Sequence, residues 1–409
     1  MKKVMSRKKT KTSFKYLPLE IWTLILARMP GKTLLRFRSV CKPWRSIIDG
    51  ADFVYLHLQL CNINNNSKNK LFVAFEDLGR LGLNGLEAWL RTIRRADTLR
   101  KTGHNLMSPG NDDPLGSCIG PSVNGLILTC ELIDFKQELI LWNPSIRKSL
   151  VIPPCPIPSH LQVETAFVFG FAPSTKEHKI IAITSDETPG TQPRDMFFAV
   201  YTLSDQRWTV RNNGLNVERS FFEGIFQSFL YSSDTTFLYG GTVFLHGKVH
   251  CLAFDYGNNK LHLVSLDFDL ESVTFLEVPD LSDKSRPLRF PFILGESVAI
   301  FSISTVKASI WVLELDDGKR VWTPWCSEPS SLDGFGLFMD HILSNGPYYY
   351  ESDCGGCLII GKKSYHIASG KVQARGKSMR RNVILETYSE SLVLHKGYGA
   401  QEVDVFPVN

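Results

Sequence analysis

Apolar residues near the start of the chain recur every three or four positions, which is the period of an amphipathic helix. Ile21, Leu24 and Ile25 share one face of this first predicted helix. Pro18 suits its first turn, where a missing N–H costs nothing. The helix should end before Pro30, because proline disfavours helical geometry in the residue that precedes it.

The same spacing predicts further short helices up to about residue 60. Their apolar stripes are Leu34, Leu35 and Phe37 in the second, Val40, Cys41, Trp44, Ile47 and Ile48 in the third, and Phe53, Leu56 and Leu58 in a last turn. Asp52 is expected to be the N-cap of that last turn. Short helices over so few residues make a marginal core, so the unit should expose apolar surface and need a partner to cover it.

From Ser117 onward the pattern changes to short alternating or apolar runs that are separated by turn residues, and the last run covers residues 392–395. Long amphipathic helices do not interrupt these runs, so a large all-β domain is predicted rather than a parallel α/β architecture. The chain is therefore expected to be multidomain, with a small all-α unit followed by a large all-β domain.

A loose internal repeat supports one particular all-β architecture. Residues 140–150 parallel residues 199–208 and 310–322, and each copy reads as a strand, a polar turn and a second strand. Weaker copies lie at residues 263–275 and 364–372. With these included, the copies are about 45–65 residues apart, within the range of β-propeller blades, and the length predicts about five to seven blades. Single blades cannot bury their own faces, so radial stacking is expected.

The stretch between the two regions, residues 61–115, is predicted to be a linker that begins with a polar Asn/Lys/Ser run. Residues 85–101 have helical spacing, with Leu86, Leu90 and Ile93 among several arginines. This segment reads as a short basic surface helix or as part of a loop, and both alternatives stay open.

Composition also predicts the cellular compartment of the protein. The chain has 409 residues, of which 43% are hydrophobic and 21% charged, and it lacks the apolar core of a signal peptide. No apolar run approaches the ~20 residues needed to span a bilayer. The nine cysteines follow no framework spacing, which suits free thiols in a reducing compartment. We expect a protein of the nucleus, the cytoplasm or both, without membrane association.

The first 14 residues form a basic, apolar-poor leader that is predicted to be disordered. It could be a nuclear import signal or simply a solvated tail. Much of the net charge of +5 comes from this leader, so the rest of the chain is close to neutral. A dedicated nucleic-acid binder would carry clustered basic residues on the folded domain, so nucleic acid is an unexpected partner.

Enzymatic and metal-binding patterns each fail on spacing or context. Residues 356–362 have the glycine and lysine spacing of a phosphate-binding loop, but Lys363 stands where Ser or Thr must bind magnesium. Cys354 and Cys357 lack a second Cys/His pair that could complete a zinc site. His246 and His250 bracket a turn between strands. We predict no catalytic residues, cofactor or metal.

Residues 15–60 closely resemble an F-box, the module that docks a substrate receptor onto a ubiquitin ligase. The match includes the Leu17-Pro18 start, the Met29-Pro30 stop and the core run of Val40, Cys41, Lys42 and Trp44. The resemblance implies binding to the Skp-family adaptor of an SCF complex, which is joined to a cullin. The residues expected to carry adaptor binding, some of them internal core, are Leu17, Pro18, Ile21, Leu24, Ile25, Leu34, Val40 and Trp44.

Residues 116–409 resemble the F-box-associated domain of plant F-box proteins, a kelch-like β-propeller. The resemblance rests on Asn124-Gly125, on the Leu141 to Ser145 run and on residues 169–181. It implies a non-catalytic receptor whose propeller binds the protein to be ubiquitinated. The candidate substrate loops are residues 185–194, 212–223 and 329–345.

Two other classes of function remain as alternatives. A propeller that binds a glycan or small ligand could use Trp208, Trp325 and Tyr348 to Tyr350 as stacking platforms, although such aromatics equally suit a blade core. A propeller enzyme would need convergent carboxylates or His/Cys ligands at strand ends, and the sequence shows no such cluster.

Overall fold

The structure is a computed structural model. It describes residues 17–64, 71–80, 87–95, 117–118, 121–133, 136–157, 165–185, 196–211, 241–255, 260–279, 288–303, 307–317, 319–329, 348–352, 355–360, 363–366, 371–374, 383–395 and 398–402.

Four helices open the described chain: α1 Leu19–Leu26, α2 Gly31–Phe37, α3 Lys42–Ile48 and α4 Ala51–Asn64. Residues 17–64 are called the helical unit below. Pro18 and Pro30 lie at the N-caps of α1 and α2, one residue before the first helical turn. The predicted last turn is a 14-residue helix, and Asp52 lies inside its first turn rather than at its N-cap.

The helices pack through a few buried side chains and one ion pair. Leu26, Leu34 and Ile48 are almost completely buried. Between α2 and the end of α3, Arg38 Nε lies 2.5 Å from Asp49 Oδ1, and Arg38 Nη2 lies 2.9 Å from Asp49 Oδ2. Such a bidentate pair fixes the angle between two short helices as well as binding them.

The strands follow in the order β1 Leu71–Arg80, β2 Glu87–Arg95, β3 Ser117–Cys118, β4 Ile127–Ile133, β5 Lys136–Asn143, β6 Lys148–Ile152, β7 Thr165–Ala172, β8 Glu177–Ser185, β9 Met196–Thr202, β10 Arg207–Val210, β11 Thr242–Leu245, β12 Lys248–Asp255, β13 Lys260–Asp267, β14 Ser272–Glu277, β15 Leu288–Leu294, β16 Ser297–Ile303, β17 Lys307–Asp316, β18 Lys319–Pro329, β19 Tyr348–Ser352, β20 Gly355–Ile360, β21 Lys363–His366, β22 Lys371–Ala374, β23 Val383–Tyr388 and β24 Gln401–Glu402.

These strands form six sheets in the described part of the chain. Four sheets are meanders of four consecutive strands: β7–β10, β11–β14, β15–β18 and β19–β22. The first strand of a meander lies inside and the last outside, since every residue of β7 is buried whereas β10 is largely exposed. The inner strand β15 contacts both β11 and β19 of the neighbouring sheets. This organisation is that of a β-propeller.

The predicted strand–turn–strand repeat corresponds to the outer hairpin of a blade. The copies at residues 140–150, 199–208 and 310–322 fall on β5–β6, β9–β10 and β17–β18. The prediction of a small helical unit followed by a large all-β propeller is confirmed, and six sheets lie within the predicted range of blades.

The predicted linker over 61–115 is wrong in part, because it contributes two strands to the propeller. β1 pairs with β2 and with β23, so that Val73 lies between Ile93 and Glu386. Residues 87–95 are therefore a strand and not a helix. Apolar residues that recur every three or four positions fit a helix, but pairing with β1 makes this segment a strand. The propeller begins at β1 rather than at residue 116, and its first strands share a sheet with one of its last.

The helical unit and the blades share one apolar core. Leu26, Leu34 and Ile48 belong to the same buried cluster as Leu128 and Leu392. The cluster extends through the two blades formed by β3–β6 and β7–β10. The helices are thus packed against the propeller instead of being tethered to it by a free linker.

Candidate functional site

The helical unit leaves a set of six aliphatic side chains exposed. We call this set the exposed apolar face, and its members are Leu17, Leu19, Ile21, Leu24, Ile25 and Val40, each between 36% and 61% exposed. It arises because α1 is apolar on almost all sides, whereas only its Leu26 end is buried. An apolar set of this kind is a candidate interaction surface.

The structure distinguishes three environments among the eight residues predicted to carry adaptor binding. Leu17, Pro18, Ile21, Leu24, Ile25 and Val40 are exposed. Leu34, a residue of α2, is fully buried, so it supports the fold and offers no contact surface. Trp44 is half-buried, with its ring 5.1 Å from that of Trp22 and 5.3 Å from that of Phe37.

One member of the exposed apolar face was missed by the sequence prediction. Leu19 is 55% exposed, more than any other residue of α1 in that face. It lies off the helical stripe used for prediction, next to the Leu17-Pro18 start. The unbroken apolar run at residues 17–19 is the signal that could have identified it.

A segment near the C-terminal end of the propeller contacts the helical unit. Residues 388–395 are called the clamp segment. It begins at the last residue of β23 and continues without helix or strand, so the strand predicted at 392–395 is not present. The Gly31 N–H donates to Glu390 Oε2 at 3.2 Å. His395 Nε2 lies 3.1 Å from Asp49 Oδ1. Two different helices are thereby bound to the same segment.

The first complete blade holds the other side of the clamp segment. Asn143 is fully buried, and its Nδ2 lies 2.7 Å from Val393 O, 3.2 Å from Ser391 O and 3.0 Å from Ser391 Oγ. Its Oδ1 accepts from the Ser145 N–H at 2.9 Å. This turn is the Asn-Pro-Ser run noted in the sequence, and the structure gives it a bridging role between blade and clamp segment.

Two further contacts complete the attachment. Ser145 Oγ hydrogen-bonds the Tyr388 hydroxyl and accepts from the Ser391 N–H at 3.0 Å. Gly125 has a φ of +74°, and a Cβ at that position would lie 2.2 Å from Ser389 O. Only glycine tolerates both the left-handed backbone and this close approach.

Burial and pairing set the charges at the junction. The Arg38 guanidinium hydrogen-bonds the Asp49 carboxylate and holds its pKa well below the usual range. Burial lowers the pKa of His395, although its contact with Asp49 opposes that change. Burial raises the pKa of Glu390 against the opposing effect of the Gly31 N–H. The Asp49 carboxylate therefore stays ionised, and the junction is held by this anion and by hydrogen bonds rather than by exposed ion pairs.

The histidine pair considered as a metal site is divided between two environments. His246 lies in a turn with a φ of +50°. His250 is buried on β12 with Nδ1 2.8 Å from Ser265 Oγ, and burial lowers its pKa to about 4. Within the described residues no group of three potential metal ligands occurs.

The other candidate motifs lie on or beside strands. Residues 355–360 are β20 and residues 363–366 are β21, which pair as a hairpin. Cys354 and residues 361–362 lie outside the described residues, as do residues 186–194, 212–223 and 330–345 of the candidate substrate loops.

Trp208, proposed as a stacking platform, joins two blades. Its Nε1 donates to Pro153 O at 2.7 Å, and its ring lies 5.4 Å from that of Tyr201. Trp322 repeats the arrangement two blades on, donating to Glu277 O at 2.9 Å. Trp325 is exposed, and the side chains of Tyr348 to Tyr350 lie outside the described residues.

Two family models match the chain in the order that the structure shows. The F-box domain matches residues 14–55, and the F-box associated beta propeller domain matches residues 118–393. Because the second match covers more than half of the 409 residues, the chain belongs to the family of F-box proteins that carry an F-box-associated β-propeller domain. The predicted resemblance is confirmed.

Several Arabidopsis thaliana proteins are similar to this chain. An F-box/kelch-repeat protein is 27% identical over 173 residues, which cover 41% of this chain and 44% of that protein. An F-box protein is 24% identical over 320 residues, which cover 75% of this chain and 71% of that protein. Three of these plant relatives are matched over 44%, 44% and 37% of their own length, less than half in each case.

Solved propeller structures superpose on the chain only loosely. The Dos1 propeller gives a TM-score of 0.32 at 8% identity, covering 77% of this chain and 76% of its own. The WD40 domain of Toxoplasma gondii coronin gives 0.30 at 9% identity, covering 71% and 73%. These scores add nothing to the fold assignment, which rests on the sheets and the family match.

No helix among the described residues is long and apolar enough to span a membrane.

Proposed function

We propose that this protein is the substrate-recognition subunit of an SCF-type E3 ubiquitin ligase. The observation that carries the proposal is the exposed apolar face, which lies on an F-box whose opposite side is buried against a propeller. One side of the helical unit is thereby occupied by the chain itself, and the other is available to a second protein.

The Skp-family adaptor is the proposed occupant of the exposed apolar face. Burying an exposed leucine or isoleucine contributes about 1.5–3 kcal/mol at full burial. Several such side chains at one interface are enough to offset the cost of association. Through the adaptor the complex would include a cullin and the catalytic subunits, so the chain itself contributes no catalytic residue.

The propeller is the proposed receptor for a protein substrate. Its blades present loops at the ends of a rigid sheet framework, and loops on such a framework are where binding residues concentrate. Because the helical unit and the propeller share a core, a bound substrate would be held at a fixed orientation to the adaptor. The chain would thus act through effective concentration and positioning, in the nucleus, the cytoplasm or both.

Adaptor capture tests the first half of the proposal. Leu24→Asp places a charge in the exposed apolar face, and Leu315→Asp does so at a leucine that is 76% exposed on β17. Loss of one buried leucine together with burial of a charge should cost at least about 3 kcal/mol, or roughly a hundredfold in Kd. The first variant should lose the adaptor while the second binds as the unmodified chain does.

Ubiquitination of a bound substrate tests the second half. In a reconstituted reaction, Leu24→Asp should leave substrate binding intact and abolish ubiquitin transfer to that substrate. Transfer that continues without adaptor binding, or transfer by the lone chain, would contradict the proposal. Equal adaptor binding by both aspartate variants would show that the exposed apolar face is not the docking site.

A further inference from the structure

A cavity of about 250 Å³ lies where the helical unit meets the propeller. Its walls come from three separate parts of the chain: α4, the strand ends around residues 171–178, and the clamp segment with Tyr398. No residue of the exposed apolar face lines it. A ligand here would therefore contact both domains without competing directly with the proposed adaptor.

The cavity has an exposed mouth and a buried floor. Ala51, Asp52 and Lys176 are exposed and mark the mouth. Leu58 and Leu392, with other buried aliphatic residues, form the floor. An apolar cavity that opens on a polar rim is the usual form of a small-molecule site.

His178 supplies a polar group at the floor. It is 7% exposed, and its Nε2 lies 3.3 Å from Asn124 Nδ2. Because the amide Nδ2 donates, Nε2 accepts, and the proton of the neutral ring is on Nδ1. Because Asn124 occupies Nε2, Nδ1 is the ring nitrogen that remains to donate to a ligand. Burial lowers the pKa of His178 to about 3, so the ring stays neutral.

The charged groups of the cavity already have partners that compensate them. Asp49 is paired with Arg38. Lys176 Nζ lies 4.6 Å from the centre of the Tyr55 ring, in a cation–π contact. Asp52 is in the first turn of α4, where the helix dipole favours a carboxylate. A ligand that brought a charge to the apolar floor would bury it without a counter-charge, at a cost of several kcal/mol.

We propose that the junction cavity binds a small uncharged amphiphile, with its apolar body on the leucine floor and a hydrogen-bond acceptor on His178 Nδ1. Because such a ligand contacts α4, the blades and the clamp segment together, it stabilises the attachment of the F-box to the propeller.

Three probes that share one ring and differ in charge test the ligand class: benzamide, benzoate and benzylamine. Binding to the full chain is measured by ligand-observed saturation-transfer NMR and by calorimetric titration. For ligands of this size we expect a Kd on the order of 1 mM for benzamide and at least about tenfold weaker binding of the two ions. Benzamide should also raise Tm in a dose-dependent way.

Two matched tryptophan variants test the location. Ala51→Trp fills the mouth and should weaken benzamide binding at least about fivefold, whereas Gln59→Trp, at an exposed position of α4 that does not line the cavity, should leave it unchanged. Thermal unfolding confirms that both variants fold. Absence of benzamide binding, equal or tighter binding of either ion, or benzamide binding unaffected by Ala51→Trp would overturn the proposal. The adaptor is absent from these assays, so their outcome is independent of the proposed ligase role.

Discussion

Replacement of Asn143 offers a direct test of how the helical unit is held on the propeller. This side chain is fully buried, and it connects β5 to two backbone carbonyl groups of the clamp segment, those of Ser391 and Val393. The clamp segment in turn binds α2 and the end of α3 through Glu390 and His395. A defect at Asn143 should therefore weaken the junction as well as the blade.

The size of the effect follows from the groups left without partners. Asn143→Ala removes the Nδ2 donor from two buried carbonyl oxygens and the Oδ1 acceptor from the Ser145 N–H. A buried polar group without a partner costs about 1–3 kcal/mol, so three groups that partly recover other contacts should cost roughly 3–5 kcal/mol. Because domains are stable by only about 5–15 kcal/mol, the variant should lose a large part of its stability.

Guanidinium chloride unfolding measures this loss, and the fluorescence of the adjacent, fully buried Trp142 should contribute to its signal. Asn143→Asp separates hydrogen bonding from packing, because it keeps the shape but places a carboxylate opposite acceptor atoms; it should be at least as unstable as Asn143→Ala. Thr175→Ala, in an exposed turn, is the control. A loss below about 0.5 kcal/mol in Asn143→Ala, or a neutral Asn143→Asp, would refute the bridging role of this side chain.

Three further predictions follow from the junction and the sheets. Asp49→Asn should destabilise the chain at pH 7, because Arg38 lowers the pKa of Asp49 in the folded state. The ionised carboxylate contributes this stability above its unfolded pKa of about 3.9. The difference in unfolding free energy between the unmodified chain and the variant, measured by denaturant titration, should therefore shrink as pH falls below about 4. Gly125→Ala should shift the unfolding midpoint more than Gly295→Ala, since both residues have positive φ but only the first Cβ meets a backbone oxygen within 4 Å. A fragment of residues 115–409 should lack a cooperative melt in circular dichroism, whereas the full chain melts cooperatively, because the fragment lacks β1 and β2 and leaves β23 unpaired. A sharp melt of that fragment would show that the first two strands are dispensable.

The sequence by itself determined the elements whose pattern is local. Prolines 18 and 30 set the starts of α1 and α2. The strand–turn–strand repeat was readable because each copy is one hairpin, closed by residues adjacent in sequence. The exposed apolar face was largely predictable too, since α1 carries more apolar residues than one buried side can use.

Only the tertiary structure decided which apolar residues are covered and by what. Leu34 could not be separated from its exposed neighbours by spacing, because its burial depends on packing against distant residues such as Leu392. Residues 87–95 fit a helix or a strand until β1 and β23 supplied the pairing that selects the strand. The clamp segment carried only the signal of a strand, which it does not form. Its actual role had no local signal, because it consists of hydrogen bonds between residues 248 and 359 positions apart, from Asn143 to Ser391 and from Gly31 to Glu390. Periodicity reports which face of an element is apolar, whereas the identity of the surface that covers it depends on contacts that only the folded chain brings together.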